Sequence, residues 1–233
     1  CPIVGDCKAA LEGILELMED QKIEDLKNNR PEWLDQIAEW KSTTPLRYDQ
    51  GSDVIKPQFV VEKLYELTKG DAIITTEVGQ NQMWAAQYYH FNKPNHFITS
   101  AGLGTMGFGL PAAIGAKAAC PDKLVVDVAG DGSIQMNIQE LMTAVESKLD
   151  VKIVILNNQN LGMVRQWQEL FYEKVYSFTN MENAPDFVKL AEAYGAKGLR
   201  CTRPDEVESV LSQGLNCEGT VVMDFAVDKE ESV

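Results

Sequence analysis

The sequence predicts an α/β fold, a mostly parallel six-stranded sheet with helices on both faces. Three observations carry that expectation. From about residue 57 onward, short β-prone segments alternate with helical ones, as in a parallel sheet covered on both sides. The 233 residues, 45% of them hydrophobic, suffice for a core without disulfide staples. Glycine-rich loops follow several of the β-prone segments, where open α/β sheets bind their ligands.

In chain order, Asp6 caps a first helix that carries Leu11, Ile14, Leu15 and Met18 at helical spacing. A charged stretch follows. A second helix is expected over about 31–41, where Trp33, Leu34, Ile37 and Trp40 form an apolar face. Residues 42–53 are polar and contain Pro45 and Gly51, which reads as a linker. The next helix runs from Pro57 to Gly70, proline first and glycine last. Strands are expected at 72–77, 97–100, 124–129, 151–157, 198–202 and 220–227. Helices fit between and around them at about 80–91, 107–119, 137–148, 162–171, 185–195 and 204–214. Trp33 and Trp40 read as structural, and Cys120, just before Pro121, reads as a small buried residue.

Composition excludes several functions. The net charge of −14 repels phosphate backbones and anionic lipid, which argues against nucleic-acid and membrane partners. No apolar run approaches the roughly 20 residues of a membrane span. The five cysteines show no CxxC spacing and the two histidines leave little room for a histidine-rich centre, so a reducing cytoplasm is the default. The amino end resembles no signal peptide, and a start at Cys1 is expected of an excised piece of a longer chain. With basic residues scarce, a phosphorylated ligand needs backbone amides or a divalent cation to hold it.

Four strand-end loops stand out: 77–80, 101–107, 130–133 and 157–162. The second contains Gly102-x-Gly104-x-x-Gly107, a dinucleotide-binding spacing, but of the acids about 20 positions on, Asp122 follows a proline and Asp127 lies within the next strand, so neither completes it. A glycine turn packed against a helix is its plainer reading. The third and fourth loops gain meaning together. Asp131 and Asn158 each follow a strand, so they stand at equivalent ends of neighbouring parallel strands. A carboxylate and an amide oxygen side by side suit Mg²⁺, whose shell phosphate oxygens and water complete. The glycines around Asp131 let backbone amides approach a phosphate, and the following helix is expected to point its N-terminus there.

Gly130-Asp131-Gly132-Ser133 followed by Asn157-Asn158 resembles the signature of thiamine-diphosphate enzymes. Gly130–Leu141 (GDGSIQMNIQEL), Asn157–Tyr172 (NNQNLGMVRQWQELFY), Glu77–Trp84 (EVGQNQMW) and Ser100–Pro111 (SAGLGTMGFGLP) closely resemble the catalytic subunits of the acetolactate (acetohydroxyacid) synthase family. The likeness runs over about residues 55–227. Residues 1–53 resemble the tail of that family's central domain plus its linker, and 54–233 its C-terminal thiamine-diphosphate-binding domain. No counterpart of the family's N-terminal pyrimidine-binding domain occurs in the sequence.

The resemblance implies a transferase that condenses pyruvate with a second 2-oxo acid, with loss of CO₂, in branched-chain amino-acid biosynthesis. It implies Mg²⁺ held by Asp131, the Asn158 side chain and the Asn160 carbonyl. Gly79, Gln80, Gly132 and Ser133 would contact the diphosphate, with Val78, Asn81, Gly130, Gly162 and Met163 completing the cofactor site. Met106 resembles the apolar residue wedged between the two rings of the cofactor, and the Gly104 carbonyl resembles the acceptor for its amino group. Met163 and Trp167 match residues lining the family's substrate channel. Implied partners are a homodimer or larger assembly and a regulatory subunit, with FAD in the full-length enzyme. The family's activating glutamate comes from the pyrimidine-binding domain of the partner subunit, so the sequence is expected to be inactive alone and to hold no catalytic residue. Glu77 is not assumed to replace it. Competing readings are a glyoxylate carboligase or oxo-acid decarboxylase, which Gln166-Trp167-Gln168 speaks against, and a non-catalytic binding module, which the intact Asp131/Asn158 pair speaks against.

Overall fold

Strands β1 (Ile73–Thr76), β2 (Phe97–Thr99), β3 (Val125–Gly130), β4 (Val151–Asn157), β5 (Lys197–Cys201) and β6 (Val221–Ala226) form one sheet in the order β2-β1-β3-β4-β6-β5. Every pairing is parallel. This is a computed structural model and describes residues 2–19, 30–51 and 53–233. The charged stretch near 20–29 and the starting Cys1 lie outside the described residues. The chain divides into two compact units, 1–47 and 48–233.

In the first unit, α1 (Cys7–Glu19) starts as expected, with the Asp6 carboxylate accepting from the Ala9 amide at 3.0 Å. Helix α2 (Pro31–Thr43) has proline at its first turn and buries no residue. Its apolar face forms but stays exposed, and Trp33 packs edge-to-face on Trp40 with ring centroids 5.6 Å apart.

In the second unit the sheet sorts its side chains by alternation. Ile74, Val126, Val128, Val154 and Leu156 face one side and pack with α3 (Pro57–Thr68), α4 (Gln80–Tyr88) and α9 (Val207–Leu215). Ile73, Val125, Ala129, Ile153 and Ile155 face the other, beneath α5 (Gly109–Ala119), α6 (Glu140–Glu146) and α8 (Phe187–Ala193). Both faces are covered, which is why β3 and β4 read as near-continuous runs of buried β-branched residues. Helix α7 (Gly162–Phe171) is the exception. Its buried residue is Arg165, while Val164, Trp167, Leu170 and Phe171 are exposed.

The structure corrects three details. The helix expected over 137–148 is shorter, α6 over Glu140–Glu146, and a 3₁₀ turn (Ile134–Asn137) precedes it, where Asn137 donates its side-chain amide to the Gly107 carbonyl at 2.7 Å. The segment at 204–214 likewise opens with a 3₁₀ turn at Pro204–Glu206 before α9. Cys120 is exposed rather than buried, since it caps the end of α5 in a surface turn. Among the described residues no helix is long and apolar enough to cross a membrane.

Candidate functional site

Because every strand pair is parallel, the loops after β1, β3 and β4 emerge on one edge of the sheet, and that edge carries a cleft. Gly130 at the end of β3 pairs in register with Leu156 of β4, so Asp131 and Asn158 stand almost abreast. The cleft is lined by Val78, Gly79, Gln80, Asn81, Met106, Gly130, Asp131, Gly132, Ser133, Asn158, Asn160, Gly162 and Met163. Two residues singled out from the sequence lie elsewhere. Gly104 takes a left-handed turn (φ +65°) outside the lining, and Trp167, 57% exposed, sits one helical turn beyond Met163.

Two helices begin at the cleft. Gly79 precedes α4, and Gly162 opens α7. Their first amides have no partner within their helices and carry the positive end of the helix dipole. The turn after Asp131 is too short to act as a third, contrary to the expectation from sequence. Among the described residues no lysine or arginine lines the cleft, and Asp131 is the one charged side chain there.

Asp131 is 1% exposed, and its Oδ2 has no hydrogen-bond partner. Burial pushes its pKa up to about 7, against the pull of the Asp131 and Gly132 amides, and the charge of Asp224 adds to the rise. A buried carboxylate left this way is costly unless a cation meets it. Asn158 is held for the same spot: its Nδ2 donates to Gln80 Oε1 at 3.1 Å, and its Oδ1 accepts from the Asn160 amide at 3.1 Å. Among the described residues no three His, Cys, Asp or Glu side chains converge as metal ligands. A cation here would therefore rest on one carboxylate plus amide and carbonyl oxygens, a donor set for a hard ion such as Mg²⁺.

Gly162 lets two polar side chains approach closely: a Cβ there would lie 2.0 Å from Gln80 Oε1 and 2.8 Å from Asn158 Nδ2, and both would have to move. In the 101–107 loop Gly107 (φ +88°) packs closely against Met136 and Asn137, while Met106 lines the cleft. Sequence reasoning missed Trp84, Leu156, Leu161 and Val164, which also line the cleft. Their apolar character looks like ordinary core, and only the edge position of their loops could have flagged them.

Residues 77–225 match the family described as "Thiamine pyrophosphate enzyme, C-terminal TPP binding domain". Over its whole length the chain is 51% identical to the acetolactate synthase isozyme 3 large subunit of Escherichia coli. It is 49% identical over 88% of its length to the mitochondrial acetolactate synthase catalytic subunit of Saccharomyces cerevisiae. It is 44% identical over 99% of its length to the chloroplastic acetolactate synthase 1 of Nicotiana tabacum. The chain spans 41%, 30% and 36% of the lengths of these relatives.

Proposed function

Because this chain belongs to the thiamine pyrophosphate enzymes, through their C-terminal cofactor-binding domain, we propose that it supplies the diphosphate- and Mg²⁺-holding part of an acetolactate synthase. The observation that carries the reading is the unpartnered, buried Asp131 oxygen beside Asn158, facing a cleft otherwise free of charged side chains. Asp131, the Asn158 amide oxygen and the Asn160 carbonyl would hold the cation. Amides at the starts of α4 and α7 would take phosphate oxygens that no lysine or arginine in the cleft can meet. Met106 and Met163 would keep water from the organic part of the cofactor. Thiamine diphosphate, when bound, supplies a nucleophilic carbon and an electron sink for decarboxylating a 2-oxo acid.

Pyruvate and a second 2-oxo acid are the substrates this reading assigns, and a second copy plus a regulatory subunit the partners. The relatives named as large subunits support the latter. The test is a calorimetric titration of the 233-residue chain with thiamine diphosphate. Binding is expected with Mg²⁺ and is expected to vanish with EDTA; equal affinity in both conditions would defeat the proposal. Acetolactate formation from pyruvate by these 233 residues alone is expected to be undetectable, since losing a positioned acid–base group costs about 10²–10⁴-fold.

Trp167 is assigned to the approach of the second 2-oxo acid. Its exposed face lies one turn from Met163. In a complete enzyme, Trp167→Leu is expected to lower the preference for 2-oxobutyrate over pyruvate, by up to the roughly 1–3 kcal/mol a methylene is worth. A competition assay reads the product ratio, and an unchanged ratio removes Trp167 from that role.

A further inference from the structure

Glu77, at the end of β1, is fully buried and lies outside the cleft lining. Its two carboxyl oxygens reach the segment that leads into α5. Oε2 accepts from the Gly107 amide at 2.6 Å, and Oε1 accepts from the Leu110 amide at 3.0 Å. The amides of Phe108 and Gly109 also point at it. One carboxylate thus spans the turn between Met106 and the first residues of α5.

A second buried acid sits behind it. Asp127 of β3 pairs in register with Thr75 of β1, two residues before Glu77. It is 0% exposed, its Oδ1 accepts from the Thr75 hydroxyl at 3.2 Å, and its Oδ2 has no partner. The same Oδ1 lies against Gly109, where a Cβ would come within 2.3 Å of it and within 2.5 Å of the Glu77 nitrogen. The segment from Gly107 to Leu110 therefore rests on both acids. Burial raises both pKa values, but the two acids are not equivalent. Glu77 has a cradle of amides that favours its ionised form, whereas Asp127 has one hydroxyl donor and feels the charge of Glu77. Two buried carboxylates oppose one another's ionisation, and the one with fewer donors is the readier to hold a proton.

We propose that Glu77 is a positioning residue: as a carboxylate it clamps the Gly107–Leu110 turn and so holds Met106 in the cofactor cleft, while Asp127 behind it carries the proton. The clamp rests on the thiamine-diphosphate reading only for what Met106 does there. The turn is otherwise tied by Asn137 Nδ2 to the Gly107 carbonyl at 2.7 Å and by Ser100 Oγ to the Thr105 amide at 3.0 Å, both neutral bonds. The charge-assisted pair to Glu77 is the stronger tie.

The experiment uses carboxyl-¹³C and amide NMR of the 233-residue chain, together with cofactor titration of two variants. In the unsubstituted chain at pH 7, Glu77 is expected to resonate as a carboxylate and Asp127 as a carboxylic acid. The Gly107 and Leu110 amide protons should lie downfield and move only when Glu77 titrates in acid. Glu77→Gln is expected to lose amide protection at Gly107 and Leu110 and to weaken Mg²⁺–thiamine-diphosphate binding about 10-fold or more, as loss of an orienting partner does. Asp127→Asn, which mimics the protonated acid, is expected to stay within about threefold of the parent. An ionised Asp127 at pH 7, a protonated Glu77, or an Asp127→Asn loss as large as that of Glu77→Gln would each overturn the proposal. The NMR arm needs neither variant nor cofactor. Failure of the parent chain to bind thiamine diphosphate would defeat the proposed function, while the amide and carboxyl signals still decide the clamp.

Discussion

Replacing Asp131 by alanine is expected to lower the affinity for thiamine diphosphate in Mg²⁺ by about 100-fold or more, at the upper end of what even outer partners of metal sites contribute. Among the described residues the carboxylate is the cleft's one charged side chain. Without it a cation would keep only neutral amide and carbonyl oxygens, and the diphosphate would meet helix termini worth roughly 0.3–1 kcal/mol each in a protein of net charge −14. Stability should move the other way. The Asp131 Oδ2 is buried with no partner, and removing an unsatisfied polar group relieves a cost of about 1–3 kcal/mol. The variant free of ligand is therefore expected to melt at or above the parent while its calorimetric titration is flat. A variant that binds as tightly as the parent, or that loses binding only because it unfolds, would remove Asp131 from the metal site.

That opposition between binding and stability follows the way the sequence exposes its own site. The six strands were legible because both faces of the sheet are buried, which makes Val125–Ala129 and Val151–Leu156 apolar runs broken only by Asp127 and Lys152. Asp131 and Asn158 were legible because each ends such a run, and parallel pairing alone brings them level. The rest depended on distance along the chain. Glu77 and Asp127 are neighbours only through the register of β1 on β3, and no local pattern joins positions 50 residues apart. The 3₁₀ turn at Ile134–Asn137 just ahead of α6 carries a tertiary bond from Asn137 to the Gly107 carbonyl, 30 residues away, which no local pattern announces. Trp167, matched to a substrate-channel position and not to the cofactor site, lies one helical turn beyond Met163 and outside the cleft lining.

Gly109→Ala is expected to destabilise the chain by roughly 3 kcal/mol, the upper part of the range for overpacking a tight interior. The sign is opposite to the rule for helices, where alanine in place of glycine gains up to about 1 kcal/mol. Gly109 opens α5, and its backbone does not lie in the left-handed region, so conformational freedom is not what the position requires. Space is. A Cβ there would lie 2.3 Å from Asp127 Oδ1, 2.5 Å from the Glu77 nitrogen and 2.7 Å from the Thr76 carbonyl carbon. Two of these are backbone atoms of β1 and its end, a strand paired on both sides, which can move only if the sheet does. Helix α5 would have to lift, taking with it the amides that meet Glu77 and the turn that carries Met106. At roughly 2–4 °C per kcal/mol for a domain of this size, the melting temperature should fall by about 6–12 °C. Gly115 supplies the control: it lies in the same helix with nothing within 4 Å of a built Cβ, so Gly115→Ala should be neutral or mildly stabilising. Calorimetric melting of both variants separates helix propensity from packing. If Gly109→Ala melts with or above Gly115→Ala, the close approach of α5 to the two buried acids is wrong, and the Glu77 clamp fails with it.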